Sequence, residues 1–392
     1  MDRHIPLVIS EGDPFSRGLQ LGQSQTERVL LTIKAYMEIF AKMAGLSHED
    51  VLAHAERYTP SIAEYAPHLL EEMRGIARGA GRDLREIVAI NARTELMYGV
   101  TRRPECTSIG ISTKASADGH IRVAQNWDWR PTLAGSLILW ILRREEGPDV
   151  LTLTEAGMVG KIGINSSGLA MCINLLVSDT DHAGPALPMH VILRRVLDDA
   201  HSVEEAISVL NTTERCTSCF HMLVDSKGSL AGVEATPGGQ HVLRSANGVL
   251  THANHCVSPD LFIHDSNARE FPETLARGEH AQILASGGKV DEAFLHTILA
   301  DHETSPGSIC LHTEPGVPLV ENYESIASII FDLTAGTVDI AEGPPCENAY
   351  RRLSLEENLK VTEIRARKPL RFIGGMKHRS LFGEVRGAHS AA

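Results

Sequence analysis

The pattern of apolar and polar residues changes near Pro104. Before this point, apolar residues recur at the spacing of amphipathic helices. This pattern predicts four helices, over residues 19–43, 51–58, 62–76 and 84–96. Ser47 and Asp83 precede the second and fourth of them and are predicted to be their N-caps. The first hundred residues are therefore predicted to be helical.

After Pro104, short apolar runs alternate with period two and are separated by turn sequences. These turns lie at residues 165–168, 225–228, 247–248 and 334–336. We interpret them as hairpins, so the strands should be mainly antiparallel. Further helices are predicted over residues 188–200, 202–210 and 290–301, with Ser202 as an N-cap. Together these elements predict an α+β fold in which layers of helix cover two packed sheets.

The composition and net charge limit the kinds of molecule that the chain is expected to bind. The 392-residue chain is 43% apolar and 22% charged, as expected for a globular protein, and its net charge of −13 disfavours nucleic acid or an anionic membrane surface. A small neutral or cationic ligand fits better. Because no segment resembles a signal peptide or a membrane span, we expect a cytoplasmic protein. The seven cysteines lack paired spacing, so reduced thiols are expected.

Three segments are distinguished by sequence. Residues 1–105 form the helical region and residues 106–364 the strand-rich region. No linker rich in proline, glycine or serine separates them, so the change at Pro104 is interpreted as a change of layer within one domain. Residues 365–392 contain seven basic residues and one acidic residue, which favours a mobile, solvated tail.

Cys106 begins the first predicted strand. The following hairpin should bring residues 126–128, including Asp128, beside its thiol. A free thiol has a pKa of about 8.5 and needs a base to ionise near neutrality. A cut between Glu105 and Cys106 would release an α-amine with a pKa of about 7.7–8.0, a base on the same residue as the sulfur. On local sequence alone, an ordinary buried cysteine is the simpler interpretation.

Longer motifs favour the catalytic interpretation. Residues 105–131, 154–170 and 251–256 resemble the acyl-coenzyme A:6-aminopenicillanic acid acyltransferase family, and the resemblance extends from about Asp13 to about Gly343. It implies the four-layer αββα fold of N-terminal-nucleophile hydrolases. It also implies self-cleavage between Glu105 and Cys106, which would make residues 1–105 an alpha chain and the remainder a catalytic beta chain. A homo-oligomer of that heterodimer is compatible with the sequence.

The resemblance assigns roles to individual residues. Cys106 matches the nucleophile, with Thr107 and Ser108 completing its motif as supporting candidates. Asp128 matches the aspartate that supports the new amino group. Asn254 matches an oxyanion-hole donor, although an asparagine there would also suit a turn after a strand.

The chain departs from the family at one informative position. Members resembling the penicillin enzyme have arginine where this chain has Leu311. Arg130 lies two residues beyond Asp128, on the same side of an extended strand, and is one candidate to replace that arginine. His312 is a second candidate.

The resemblance implies attack of Cys106 on an amide or thioester of a small molecule. Hydrolysis of a linear, non-peptide amide is expected first, and acyl transfer to an amine is the alternative. No cofactor or metal is expected, because the single Cys216-Thr-Ser-Cys219 motif lacks a second pair. A non-catalytic binding protein with zinc in that region, near His221, is the alternative from another class.

Overall fold

The computed structural model describes residues 3–97, 106–184 and 186–359, so Glu105 and the basic tail lie outside the described residues. Helices predominate up to Met97. In chain order, the strand and helices of this part are β1 Leu7–Gly12, α1 Pro14–Ser24, α2 Thr26–Ala44, α3 His48–Glu56, α4 Thr59–Tyr65, α5 Pro67–Ala80, α6 Leu84–Asn91 and α7 Arg93–Leu96.

Strands predominate from Thr107 onward. Their bounds are β2 Thr107–Ile111, β3 Arg122–Trp129, β4 Leu137–Arg144, β5 Val150–Glu155, β6 Ile162–Asn165, β7 Leu169–Leu175, β8 Cys219–Asp225, β9 Leu230–Thr236, β10 Gly239–Arg244, β11 Val249–His252, β12 Glu324–Asp332, β13 Thr337–Ala341 and β14 Arg351–Ser354. The remaining helices are α8 Met189–Asp199, α9 Val203–Asn211, α10 Pro259–Phe262, α11 Ser266–Glu270, α12 Glu273–Ser286, α13 Glu292–Leu299 and α14 Leu355–Asn358, with a 3-10 helix at Pro131–Ser136.

Two sheets form the centre of the fold. One has eight strands in the order β1-β4-β5-β6-β7-β8-β9-β10, and the other has six in the order β11-β2-β3-β12-β13-β14. Strands β2 and β3 pack against β7 and β8 of the facing sheet. Helices α2, α8 and α9 cover the larger sheet, and α12 covers the smaller one. The predicted α+β architecture of two packed, mainly antiparallel sheets between helices is confirmed.

The alternation of side chains along β2 orients the start of this strand. Ile109 and Ile111 belong to a core cluster shared with α12 and α13. The side-chain position of Gly110 faces the opposite side of the strand, and a Cβ added there would lie 2.5 Å from a methyl carbon of Leu230 in the facing sheet. Because side chains alternate along a strand, Cys106 falls on the Gly110 side, between the two sheets.

Two sequence-based expectations about the sheets were wrong. The N-terminal region is not purely helical, because β1 joins the larger sheet parallel to β4. The Asn247-Gly248 turn is not a hairpin, since β10 and β11, which flank it, belong to different sheets. Its left-handed Gly248, with φ of 91°, turns the chain from one sheet to the other.

Local signals for helix starts were more reliable. Ser47 and Asp83 both form complete capping boxes, and the Ser202 hydroxyl accepts a hydrogen bond from the Glu205 amide. All three predicted N-caps are confirmed. Within the described ranges, no helix combines the length and apolar character that a bilayer crossing requires.

A buried ion cluster links the N-terminal helices to α8. Glu72 of α5 is fully buried and lies 2.8 Å from Arg17 of α1 and 2.6 Å from Arg194 of α8. Arg194 also donates to Asp198 at 2.8 Å. If the chain is cut before Cys106, this cluster and the β1–β4 pairing are contacts that keep residues 1–97 attached to the rest.

We expect Glu72→Ala to lower the free energy of unfolding by about 3–5 kcal/mol, because it removes the carboxylate that Arg17 and Arg194 share and leaves Arg194 with Asp198 alone. Glu71→Ala is the matched control, since Glu71 is exposed and pairs with exposed Arg74. It should cost less than about 1 kcal/mol. Urea unfolding of both variants in a Cys106→Ala background, which avoids a cut chain, provides the comparison. Equal losses in the two variants would show that the cluster contributes nothing beyond an exposed pair.

Candidate active site

Cys106 lies immediately before β2 and is almost completely buried, with 7% of its surface exposed. The register of the hairpin pairs Thr107 with Asn126. Cys106 therefore lies opposite Trp127 of the neighbouring strand, and its Sγ lies 3.7 Å from the main-chain oxygen of Asp128. The hairpin predicted from the sequence is confirmed, and it brings Cys106 and Asp128 together.

The Asp128 carboxylate is held by the neighbouring strand. Its Oδ1 accepts a 2.6 Å hydrogen bond from the hydroxyl of Ser325, and that hydroxyl accepts a 3.0 Å bond from the Leu311 amide. Asp128 and Ser325 are fully buried. Position 311 thus acts on Asp128 through its backbone and Ser325.

The two candidates for replacing the arginine expected at position 311 point elsewhere. The Arg130 guanidinium lies 4.1 Å above the ring of Tyr323, because β3 ends at Trp129 and the chain turns away there. His312 Nε2 instead approaches His302 at 3.1 Å. Among the described residues, neither Arg130 nor His312 donates a hydrogen bond to Asp128. The expected replacement is therefore not seen at either position.

Two buried side chains hold the carbonyl group of Cys106. Asn174 of β7 donates to this oxygen at 2.9 Å, and Arg277 of α12 donates to it at 2.6 Å. Arg277 also donates to the Thr107 hydroxyl at 3.0 Å, and the Ser108 hydroxyl donates to Asn174 at 2.6 Å. Thr107 and Ser108 thus help to anchor the two groups that fix the backbone at Cys106.

Asn254 follows β11 and is fixed through both its side chain and its backbone. Its Nδ2 donates to the Leu175 carbonyl at 2.9 Å, and its Oδ1 accepts from Arg277 at 3.2 Å. Its own carbonyl accepts from Asn267 at 2.7 Å. An amide NH2 has two hydrogens, so one of them is not used by Leu175. Through Arg277, Asn254 is connected to the residue that bears the thiol.

The surroundings do not ionise the Cys106 thiol in the uncut chain. Burial raises its pKa to about 11, and the Asp128 carboxylate acts in the same direction. The cations Lys161 and Arg277 oppose this shift only in part. At neutral pH the thiol is therefore protonated unless a further base is supplied.

Lys161 is itself unusual. Its Nζ lies 3.5 Å above the Trp127 ring and 3.6 Å from a Glu155 oxygen, in a fully buried position. Burial lowers the pKa of Lys161 to about 7, and Glu155 offsets only part of that shift. Near neutral pH the Lys161 amine can therefore be either protonated or neutral, and it lies near enough to the Cys106 thiol to affect its pKa.

Sequence reasoning missed Arg277, Asn174 and Lys161. Asn174 left a signal, as a polar residue inside the apolar run of β7. Lys161 is a charged residue within an otherwise apolar segment that follows β5. Arg277 left no such signal, because an arginine in a helix is ordinary and only the fold shows that it is buried.

The residues first considered for zinc have other contacts. The Cys216 sulfur lies 3.6 Å from the Gly184 carbonyl, and the Cys219 sulfur lies 3.4 Å from that of Phe220. His221 Nδ1 lies 3.3 Å from the Val233 carbonyl. These contacts are with backbone oxygens.

Two solved structures share part of this fold. Penicillin V acylase from Agrobacterium tumefaciens is 17% identical, with a TM-score of 0.42 over 60% of this chain and 83% of that one. The Caenorhabditis elegans ortholog of N-acylethanolamine-hydrolyzing acid amidase is 14% identical, with a TM-score of 0.42 over 58% and 93% of the two chains.

Sequence comparison identifies the family directly. The family model for acyl-coenzyme A:6-aminopenicillanic acid acyltransferase matches residues 115–347. The acyl-coenzyme A:6-aminopenicillanic-acid-acyltransferase 40 kDa form of Emericella nidulans is 30% identical over 285 residues, which cover 71% of this chain and 76% of that protein. The resemblance seen in the motifs is confirmed, and the chain belongs to the acyl-coenzyme A:6-aminopenicillanic acid acyltransferase family.

Proposed function

We propose that this chain is an N-terminal-nucleophile cysteine amidohydrolase that cuts itself before Cys106 and then hydrolyses a linear, non-peptide amide. The observation that carries the proposal is the position of the Cys106 thiol. It lies at the start of β2, 3.7 Å from the Asp128 main-chain oxygen, with its own carbonyl held by Asn174 and Arg277. A thiol held in this way, with a pKa of about 11, requires a base of its own.

Self-cleavage supplies that base. The Cys106 sulfur attacks the Glu105 carbonyl carbon, the peptide C–N bond breaks, and a thioester joins the Glu105 acyl group to the sulfur. The proton of the thiol passes to the Cys106 nitrogen as the C–N bond breaks, so this nitrogen becomes a primary amine and no outside base is consumed. Water then hydrolyses the thioester and frees the thiol. The products are residues 1–105 and a second chain that begins with Cys106.

The catalytic cycle uses the new amine as the proton carrier. The amine takes the thiol proton, and the sulfur attacks the substrate carbonyl to give a tetrahedral intermediate. The Asn254 NH2 group and backbone amides stabilise the developing oxyanion. The ammonium group returns the proton to the leaving amine, which leaves an acyl group on Cys106. Water, deprotonated by the same amine, completes hydrolysis.

Asp128 supports the ammonium form of this amine. Its carboxylate is buried and oriented by Ser325 at 2.6 Å. A nearby negative charge stabilises a cation in a site of low dielectric. Asp128 therefore favours the state in which the proton has moved from sulfur to nitrogen.

The experiment measures product release on a panel of linear N-acyl anilides by rapid mixing. We expect a burst of aniline close to one equivalent per chain, with an acyl mass added to the chain that begins at Cys106. When a competing alkylamine is added, the free acid should remain the main product. A predominant new amide would instead favour acyl transfer, the second candidate, which the name of the Emericella relative supports. A chain that binds the anilides but gives neither a burst nor an acyl adduct would contradict the proposal.

A further inference from the structure

Two loops outside the Cys106 site bring together four side chains that carry metal-binding atoms. His302, Cys310 and His312 follow α13, and Cys346 follows β13. Their ligand atoms, the imidazole nitrogens and thiol sulfurs, all lie within 4.8 Å of one another. Three of these residues share one loop, whereas Cys346 lies 34 positions beyond His312 in the sequence.

The spacing within this cluster can be compared with zinc geometry. A tetrahedral site with Zn–S of about 2.3 Å and Zn–N of about 2.0–2.1 Å places two nitrogens about 3.3 Å apart. The same geometry places two sulfurs about 3.8 Å apart and a nitrogen and a sulfur about 3.6 Å apart.

The observed distances match this pattern. His302 Nε2 and His312 Nε2 are 3.1 Å apart, and the two sulfurs are 3.6 Å apart. His312 Nε2 lies 3.2 Å from Cys346 Sγ and 3.8 Å from Cys310 Sγ. Each value lies within about 0.4 Å of the corresponding tetrahedral edge. The two remaining pairs, between His302 and each sulfur, lie within 4.8 Å, so all four atoms have room to face one ion.

We propose that His302, Cys310, His312 and Cys346 bind a structural zinc ion. Two thiolates and two imidazoles form a Cys2His2 donor set, which suits zinc, and four protein ligands leave no open position for chemistry. Glu347 is placed to support the assignment, because its carboxylate lies within ion-pair distance of His312 Nδ1, at 3.7 Å, on the side of the ring away from the cluster. Metal-bound imidazoles commonly have such an acceptor at their second nitrogen.

A disulfide between Cys310 and Cys346 is the rival interpretation. The two sulfurs are 3.6 Å apart and both cysteines are reduced in this structure. A disulfide would use two of the four groups and leave the approach of His302 and His312 without a cause. The zinc interpretation accounts for all four.

The ion would tie the loop after α13 to the loop after β13. Leu311 stands between two of the ligands, and its amide donates to Ser325, which donates to Asp128. Zinc would thus fix the backbone that orients Asp128. The proposed zinc site is separate from the proposed reaction, and zinc binding does not depend on Cys106.

The first test is metal content. The full chain, purified without a histidine tag and under reducing conditions, is incubated with Zn2+, washed with a weak chelator and assayed by elemental mass spectrometry. We expect about one zinc per chain. Replacement by Co2+ should give the absorption of tetrahedral cobalt with thiolate ligands. A wild-type chain that retains no metal and shows no such band would overturn the proposal, as would a Cys310–Cys346 disulfide in that reduced preparation.

Variants locate the site. His302→Ala and Cys346→Ser change exposed ligands and should reduce retained zinc at least about tenfold, with an unchanged far-ultraviolet circular dichroism spectrum. His264→Ala is the matched control, since His264 is exposed and pairs with Asp179. It should retain zinc like the wild type. Equal zinc in all three variants would place the ion elsewhere. Loss of zinc in the control as well would show that the effect is not local.

Discussion

Replacing Cys106 with alanine is expected to leave the chain uncut and to lower kcat/KM by at least about 10⁴-fold, because the proposed mechanism uses the same sulfur for self-cleavage and for attack on the substrate. Denaturing electrophoresis should show one band where the wild type shows two. Steady-state assays on an N-acyl anilide measure the loss of activity.

Cys172→Ala is the control for this variant. Cys172 lies in β7 and is fully buried, so its replacement tests the loss of a buried thiol without touching the site at the start of β2. This variant should be cut and should retain activity. A Cys106→Ala protein that turns over substrate would show that another group is the nucleophile.

Asn254→Ala is expected to lower kcat by about 100- to 1,000-fold with little change in KM, because an oxyanion donor acts mainly in the transition state. The activity must be expressed per cut chain, since the same donor would also assist cleavage before Cys106. Stopped-flow measurement of acylation isolates the affected step.

Asn267→Ala distinguishes a direct role of the Asn254 side chain in the reaction from a role in holding the local backbone in place. Asn267 donates to the Asn254 carbonyl at 2.7 Å, so its loss loosens the backbone but keeps the Asn254 amide. We expect a smaller fall in kcat. If Asn254→Ala has full kcat, or if both variants lose the same activity, Asn254 is not an oxyanion donor.

The parts of the fold that depend on local sequence were predicted well. Ser47, Asp83 and Ser202 were recognised as N-caps because a cap requires only one side chain and the next three residues. The β2–β3 hairpin was recognised because its register follows from the alternation and the turn between the strands. The residues beside Cys106 could thus be named before the structure was known.

Features that depend on distant parts of the chain were not predictable in this way. β1 was missed because its partner, β4, lies far along the chain and a short parallel edge strand has no turn beside it. The turn at Asn247-Gly248 has a hairpin sequence, but only the sheet order shows that it connects two sheets. Arg277 was missed for the same reason, because its contact with Cys106 is created by the docking of α12.

The candidate metal site also depends on parts of the chain that are distant in sequence. Its ligands are His302, Cys310, His312 and Cys346. Cys216 and Cys219 form a closely spaced pair, and such a short motif is visible in the sequence. The four converging residues come from two loops separated by β12 and β13. Only the pairing of those strands brings Cys346 to the other three ligands.

The most direct test of the account is to identify the residue labelled when activity is lost. Active protein is treated with a thiol-directed electrophile until turnover stops, and the chains are then analysed by N-terminal sequencing and intact mass. We expect the label on a chain whose first residue is Cys106, with a free α-amine and with one label per lost site. Active protein in which the bond between Glu105 and Cys106 is intact would contradict the account, because the thiol would then lack the base on which the mechanism depends.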